Sequence, residues 1–113
     1  MPGRRDGRER REALLDAAVV CFARGGVIAT GIEEIRKEAG ASPSSVYHLF
    51  DGLEGLTRDL LVRTFERLFA ELARVVTATK TARAAVVALV EGHVEWVLTH
   101  RDEARVMYQL MSL

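Results

Sequence analysis

Gly40-Ala41-Ser42-Pro43, in the middle of the chain, stops one helix and starts another within four residues, and that punctuation dictates what its neighbours can form. Glycine tolerates the positive φ that a sharp helix exit needs. Ser42 can cap a new helix with its hydroxyl, and Pro43 suits the first helical position, where its missing N–H costs nothing. Upstream, Thr30 and Glu33 have the spacing of a capping box, which predicts a helix opening on Thr30. Ile32, Ile35 and Ala39 then share one apolar face and leave Glu33, Glu34, Lys37 and Glu38 to solvent. Downstream, Val46, Leu49 and Phe50 turn inward, so Ser44, Ser45, Tyr47 and His48 lie near the start and on the outer side. Two short helices across a tight turn, the second offering small hydroxyls, a tyrosine and a histidine, have the layout of a helix-turn-helix. A plain helical hairpin whose polar residues are only solvated has the same outline.

The outward set suits duplex DNA. A helix N-terminus carries partial positive charge and unpaired N–H groups, so it attracts a phosphate without a cationic side chain. Short side chains there let the backbone approach the major groove, and Tyr47 and His48 can donate to a phosphate or a base edge. Ser44, Ser45, Tyr47 and His48 are therefore the expected readers, with Pro43 beside them and Thr30, Ser42 and Arg11 expected at phosphates. Charge is the counterweight: 16 basic and 16 acidic residues give zero formal net charge, whereas DNA binders usually carry an excess of cations. Arg4, Arg5, Arg8, Arg10 and Arg11 crowd the N-terminus against Asp6, Glu9 and Glu12. Such a modestly basic arm can touch phosphates or enter a minor groove, or simply stay solvated.

The remaining pattern is also helical, which makes the chain all-α. A first helix over roughly 9–25 turns Leu14, Ala17, Ala18, Cys21 and Phe22 inward and ends at Gly25-Gly26. A long helix begins near Asp51, which can cap it, and carries apolar residues from Leu56 to Val76 before a threonine-rich break at 77–81. From Ala82 to Thr99 apolar residues occupy almost the whole circumference, and Gly92 among them costs about 1 kcal/mol relative to alanine, a hint that a neighbour or a ligand comes close. A helix apolar nearly all round needs cover from more than one side. Only one further segment follows, roughly 102–111, so the chain reads as a fragment or truncated form of a larger helical protein. Its expected organisation is a helix-turn-helix head over 1–50, then a linker helix and partial helical bundle over 51–113.

Several functions find no support. Cys21 is the single cysteine, which rules out an intrachain disulfide and reads as a buried structural thiol in a cytoplasmic protein. No apolar run has the length of a membrane span. His93 and His100 stand seven apart and can share a helix face, but two histidines without a third ligand make a poor metal site. Neither a phosphate loop nor a nucleophile with an evident base is present, so neither an enzyme nor a cofactor is expected.

Five elements stand in order across Arg11 to Leu60: Phe22 to Gly26, Thr30 to Ile35, Ala39-Gly40-Ala41-Ser42, Tyr47 to Phe50, and Leu53-Glu54-Gly55-Leu56. Together they resemble the N-terminal domain of TetR-type (TetR/AcrR) transcriptional regulators. Departures from that pattern are Leu53, where the family often has a phosphate-binding lysine, Arg36 in place of a small residue, Leu49 in place of histidine, and Pro43 and Ser44 in place of Lys and Gly. The resemblance implies a three-helix, homeodomain-like head that binds a palindromic double-stranded DNA operator, in a ligand-responsive repressor. It also implies a homodimer once a full-length chain supplies the final helices. A small-molecule effector is implied in the body, where His93, Trp96 and Tyr108 are the candidate contacts, and the long helix would transmit its signal. The competing expectation is a helical interaction or dimerisation module with weak or no DNA binding.

Overall fold

The computed structural model describes residues 2–113, with side chains from Gly7 onward, so Arg4 and Arg5 lie outside the described side chains. Among the described residues the backbone forms α1 (Pro2–Gly25), α2 (Ile32–Ala39), α3 (Pro43–Phe50), α4 (Leu53–Thr77), α5 (Ala82–Thr99) and α6 (Arg101–Met111). α1 starts well before its apolar face does. Proline fits a first helical position, and the sequence that follows sets opposite charges four apart, as at Arg8 and Glu12, a helical spacing.

Two starts differ from expectation. The capping box at Thr30 does not form: Gly31 is the N-cap of α2 and supplies no side chain. Thr30 is only 3% exposed, and its hydroxyl donates to the Gly26 carbonyl at 2.7 Å and lies 3.3 Å from that of Cys21. It closes the end of α1 instead, because the carbonyls left over there are buried acceptors in need of a donor. Asp51 does not cap α4 either. It ends α3 in the left-handed conformation (φ 61°), with its N–H donating to the Tyr47 carbonyl, and Gly52 takes the α4 cap position.

The head is built on α1. Leu14, Leu15, Ala18, Cys21 and Phe22 meet Ile35 of α2 and Val46 and Phe50 of α3, and all are buried. The same core takes Leu56 and Leu60 from α4 and Val106 from α6, so its walls are not complete at residue 50. A second core joins Leu68 of α4, Trp96 of α5 and Ala104 and Met107 of α6. α6 thus contributes to both cores, and Gln109 adds a polar tie, its side-chain oxygen accepting the Val27 N–H at 3.1 Å.

Charged side chains line the seam between head and body. Arg63 of α4 is nearly buried and donates through one nitrogen to Glu12 and Asp16 of α1, each at 2.9 Å. Arg67, one turn on, lies 3.8 Å from Glu12 and 3.6 Å from Glu103 of α6. Glycine matters at Gly92 because α4 and α5 pack closely there: a Cβ would stand 2.9 Å from a Val75 methyl. A neighbouring helix, rather than a ligand, explains that glycine. On its other side α5 is bare, with Val86, Val90, Val94 and Leu98 each more than half exposed.

Candidate nucleic-acid interface

The turn between α2 and α3 is fixed from both chemistry and geometry. Gly40 adopts φ 68°, its N–H reaches the Lys37 carbonyl, and the Ala41 N–H reaches the Arg36 carbonyl at 3.0 Å, which is the Schellman arrangement. Arg36 then locks the turn a second time. Its guanidinium donates to the Ala41 carbonyl at 2.9 Å and to the Glu33 carboxylate at 2.9 Å. Held this way, Arg36 braces the joint and does not extend past the helix pair. The Arg36 guanidinium in turn holds the Glu33 carboxyl below the usual carboxylate range.

α3 opens as its sequence dictates. Ser42 accepts the Ser45 N–H on its side-chain oxygen, and Pro43 occupies the first turn. The three serine hydroxyls form one cluster, Ser42 to Ser45 at 2.8 Å and Ser42 to Ser44 at 3.3 Å. With Val46 and Phe50 buried, Ser44, Tyr47 and His48 face solvent and Ser45 is partly covered. Tyr47, an amphipathic ring at 61% exposure, stands out on this face.

The far end of α3 is joined to α4 by bare backbone. A Cβ on Gly55 would fall 1.7 Å from the Phe50 carbonyl oxygen, so only glycine lets the two helices meet as they do. Leu53 enters the head core as a partly buried residue, and no lysine stands at the start of α4.

Of the expected DNA contacts, the structure brings Ser42, Pro43, Ser44, Ser45, Tyr47 and His48 onto one continuous surface. Thr30 leaves the set, since its side chain is buried and its hydroxyl is spent on carbonyls. Arg11 is committed elsewhere: it lies over the Phe50 ring and donates to Asp59 at 3.1 Å. Arg24 is likewise drawn to Glu34 and Glu38. Helix-spacing rules do not foresee these pairings, because the partners come from different helices.

The expected effector contacts do not converge. His93 and Tyr108 meet at 3.2 Å on an open apolar groove of about 430 Å3 with Leu89, Val90, Val94 and Leu98. Trp96 is 3% exposed and packs in the second core, with the His100 ring stacked on it at 4.9 Å. It faces the opposite side of α5, where its edge lines a separate cleft with Arg67, Glu71 and His100. Among the described residues no group of three or more His, Cys, Asp or Glu side chains could hold a metal ion, and no helix is long and apolar enough to cross a membrane. Cys21 is fully buried, and burial pushes its thiol up from the ordinary value.

Residues 14–60 match the family described as "Bacterial regulatory proteins, tetR family". The chain is 36% identical over 81 residues to the HTH-type transcriptional repressor KstR2 of Rhodococcus jostii (strain RHA1), covering 72% of this chain and 40% of that protein. It is 31% identical over 103 residues to KstR2 of Mycobacterium tuberculosis (strain ATCC 25618 / H37Rv), covering 85% and 52%. Among solved structures, a TetR family transcription regulator from Marinobacter aquaeolei VT8 shares the fold at a TM-score of 0.87 and 22% identity, over all of this chain and 58% of the other. A TetR-like transcriptional regulator from Rhodococcus sp. RHA1 aligns at 0.80 and 26% identity, over 88% and 54%. The chain therefore spans about half the length of the relatives it matches.

Proposed function

We propose that this chain, which belongs to the TetR family of bacterial regulatory proteins through its residues 14–60, is the DNA-reading portion of a transcriptional regulator. The outer face of α3 enters the major groove, Ser44, Ser45, Tyr47 and His48 touch the duplex, and Ser42 and Pro43 face its backbone. The observation that carries this reading is the doubly locked turn, Gly40 and Arg36 together, which fixes the direction in which that face points. Repression is the sense of regulation we adopt, since the KstR2 relatives are named repressors.

Titration of the chain's own upstream DNA at several salt concentrations tests the reading. Binding should prefer one sequence and weaken steeply with salt. A flat salt dependence without sequence preference would favour the competing reading, a helical interaction module, which the engagement of Arg11, Arg24, Arg36 and Arg63 with carboxylates also supports. Tyr47→Ala should lower affinity for the preferred duplex about tenfold, the loss of one good contact, with the circular dichroism of the helices unchanged.

Pairing of two copies belongs to the same proposal, because two-fold readers bind half-sites about 34–36 Å apart and a single copy forgoes half the phosphate contacts. The bare side of α5 offers an apolar surface for association. Val94→Glu should reduce the mass measured by light scattering. The same face of α5 holds the His93–Tyr108 groove, whose lining is otherwise apolar, so an effector seated there would compete with pairing.

A further inference from the structure

We propose that the cleft between α4 and α5 binds a small zwitterion, with a carboxylate held at Arg67 and an ammonium group held between Glu71 and Glu95. The cleft has a volume of about 380 Å3, in the range of small-molecule sites. Nothing in it depends on α3 or on DNA.

Charge is sorted along this cleft. α4 and α5 run antiparallel, since Gly92 packs on Val75 while Trp96, one turn later, packs with Leu68. Arg67 therefore lies beside Thr99 and His100 at one end, and Glu71 lies nearer Glu95 and Gly92 at the other. Both ends have binding capacity to spare. Arg67 stands 3.8 Å from Glu12 and 3.6 Å from Glu103, beyond good hydrogen-bond range, so these carboxylates do not use up its guanidinium donors. At the other end Arg74 donates to both oxygens of Glu71, at 3.1 and 2.5 Å, and keeps that carboxyl below the usual carboxylate range. Glu71 thus stays charged, and its oxygens have lone pairs left over. Glu95 is exposed and lies in the field of the same arginine.

A simple anion in this cleft would meet Arg67 but also two carboxylates, and a simple cation would meet the carboxylates but also Arg67. A molecule carrying both charges satisfies both ends. Between them runs the edge of Trp96, with the His100 ring stacked on it at 4.9 Å, an apolar flank for the methylenes that join the charges. Arg67 and Glu71 are one turn apart, about 6 Å along α4. An ω-amino carboxylate of about five carbons spans that gap, at about 1.5 Å per carbon–carbon bond. An α-amino acid does not.

Trp96 is the only tryptophan of the chain, so its fluorescence reports on this cleft. The full chain is titrated with 5-aminopentanoate, pentanoate, pentylamine and glycine at constant ionic strength. 5-Aminopentanoate should give a saturable change, and the other three should bind at least about tenfold more weakly, each for want of one charge-assisted contact. Arg67→Gln should weaken 5-aminopentanoate about tenfold and leave pentylamine at least as strong, while Glu95→Gln should weaken it about tenfold and leave pentanoate at least as strong. Glu66→Gln, on the exposed side of α4 and outside the cleft, should change nothing. The comparison of probes on the unaltered chain stands even where a variant loses its helical circular dichroism. Absence of a saturable response to 5-aminopentanoate would overturn the proposal, as would a response matched by glycine or by either singly charged probe. Unchanged affinity in both folded cleft variants would overturn it too. No duplex is present in these titrations, so failure here leaves the DNA-reading function standing.

Discussion

Gly55 controls the angle at which α3 meets α4, and the magnitudes say how strongly. Replacing glycine by alanine inside a helix gains about 1 kcal/mol of propensity, while forcing extra volume into packed structure costs about 1–3 kcal/mol. A Cβ 1.7 Å from a backbone carbonyl has no flexible side chain to push aside, so the cost should win. Gly55→Ala is expected to lower stability by up to about 2 kcal/mol net, measured by urea unfolding, and a stability at or above that of the unaltered chain would contradict the geometry. The sequence announces this glycine only as one more helix residue. Thr30 is opaque for a related reason: a threonine followed three residues later by a glutamate is a good cap on local grounds, but the free carbonyls that claim its hydroxyl belong to the preceding helix end and turn.

At the scale of elements, local signals served well where both partners lie close in sequence. Gly40, Ser42 and Pro43 marked the turn, and the spacing of Leu14, Ala18, Cys21 and Phe22 marked the buried side of α1. Arg36 was the exception within the turn, since its hold on the Ala41 carbonyl depends on how the chain reverses at Gly40. The Glu33–Arg36 pair gives this element a pH response. Glu33 titrates lower in the folded chain than in an unfolded one because Arg36 bonds its charged form, so its support is complete above the ordinary carboxylate range and disappears as pH falls through the lowered value. The protection factors of the α2 amides should therefore fall on acidification more in the unaltered chain than in Glu33→Gln, with the two converging at the lowest pH. The outward placement of Ser44, Tyr47 and His48 on α3 was legible for the same local reasons. The proximity of Gly7 and Arg10 to Ser44, Ser45 and His48 was not, because helix spacing within α1 says nothing of a neighbour on α3.

The whole molecule measures 51 × 37 × 19 Å, with a radius of gyration of 16.4 Å, against about 13 Å for a compact domain of this length. Its shortest dimension is about two helix diameters, which is why helices such as α5 are covered on one side only. Within this slab the head core also takes side chains from α4 and α6, because packed side chains ignore chain order. Residues 1–50 expressed alone should lack a cooperative thermal transition, since Leu56, Leu60 and Val106 are missing from their core; a cooperative melt from that piece would show that α1–α3 suffice. The double use of α6 carries a consequence for how such proteins can be rebuilt. A reading head cannot be exchanged between chains as a cassette cut after α3, for the recipient's sixth helix must already carry the donor's apolar contacts and its glutamine. Chimeras in this fold should succeed only when the graft is discontinuous, taking the first sixty residues together with Val106, Gln109 and Leu110.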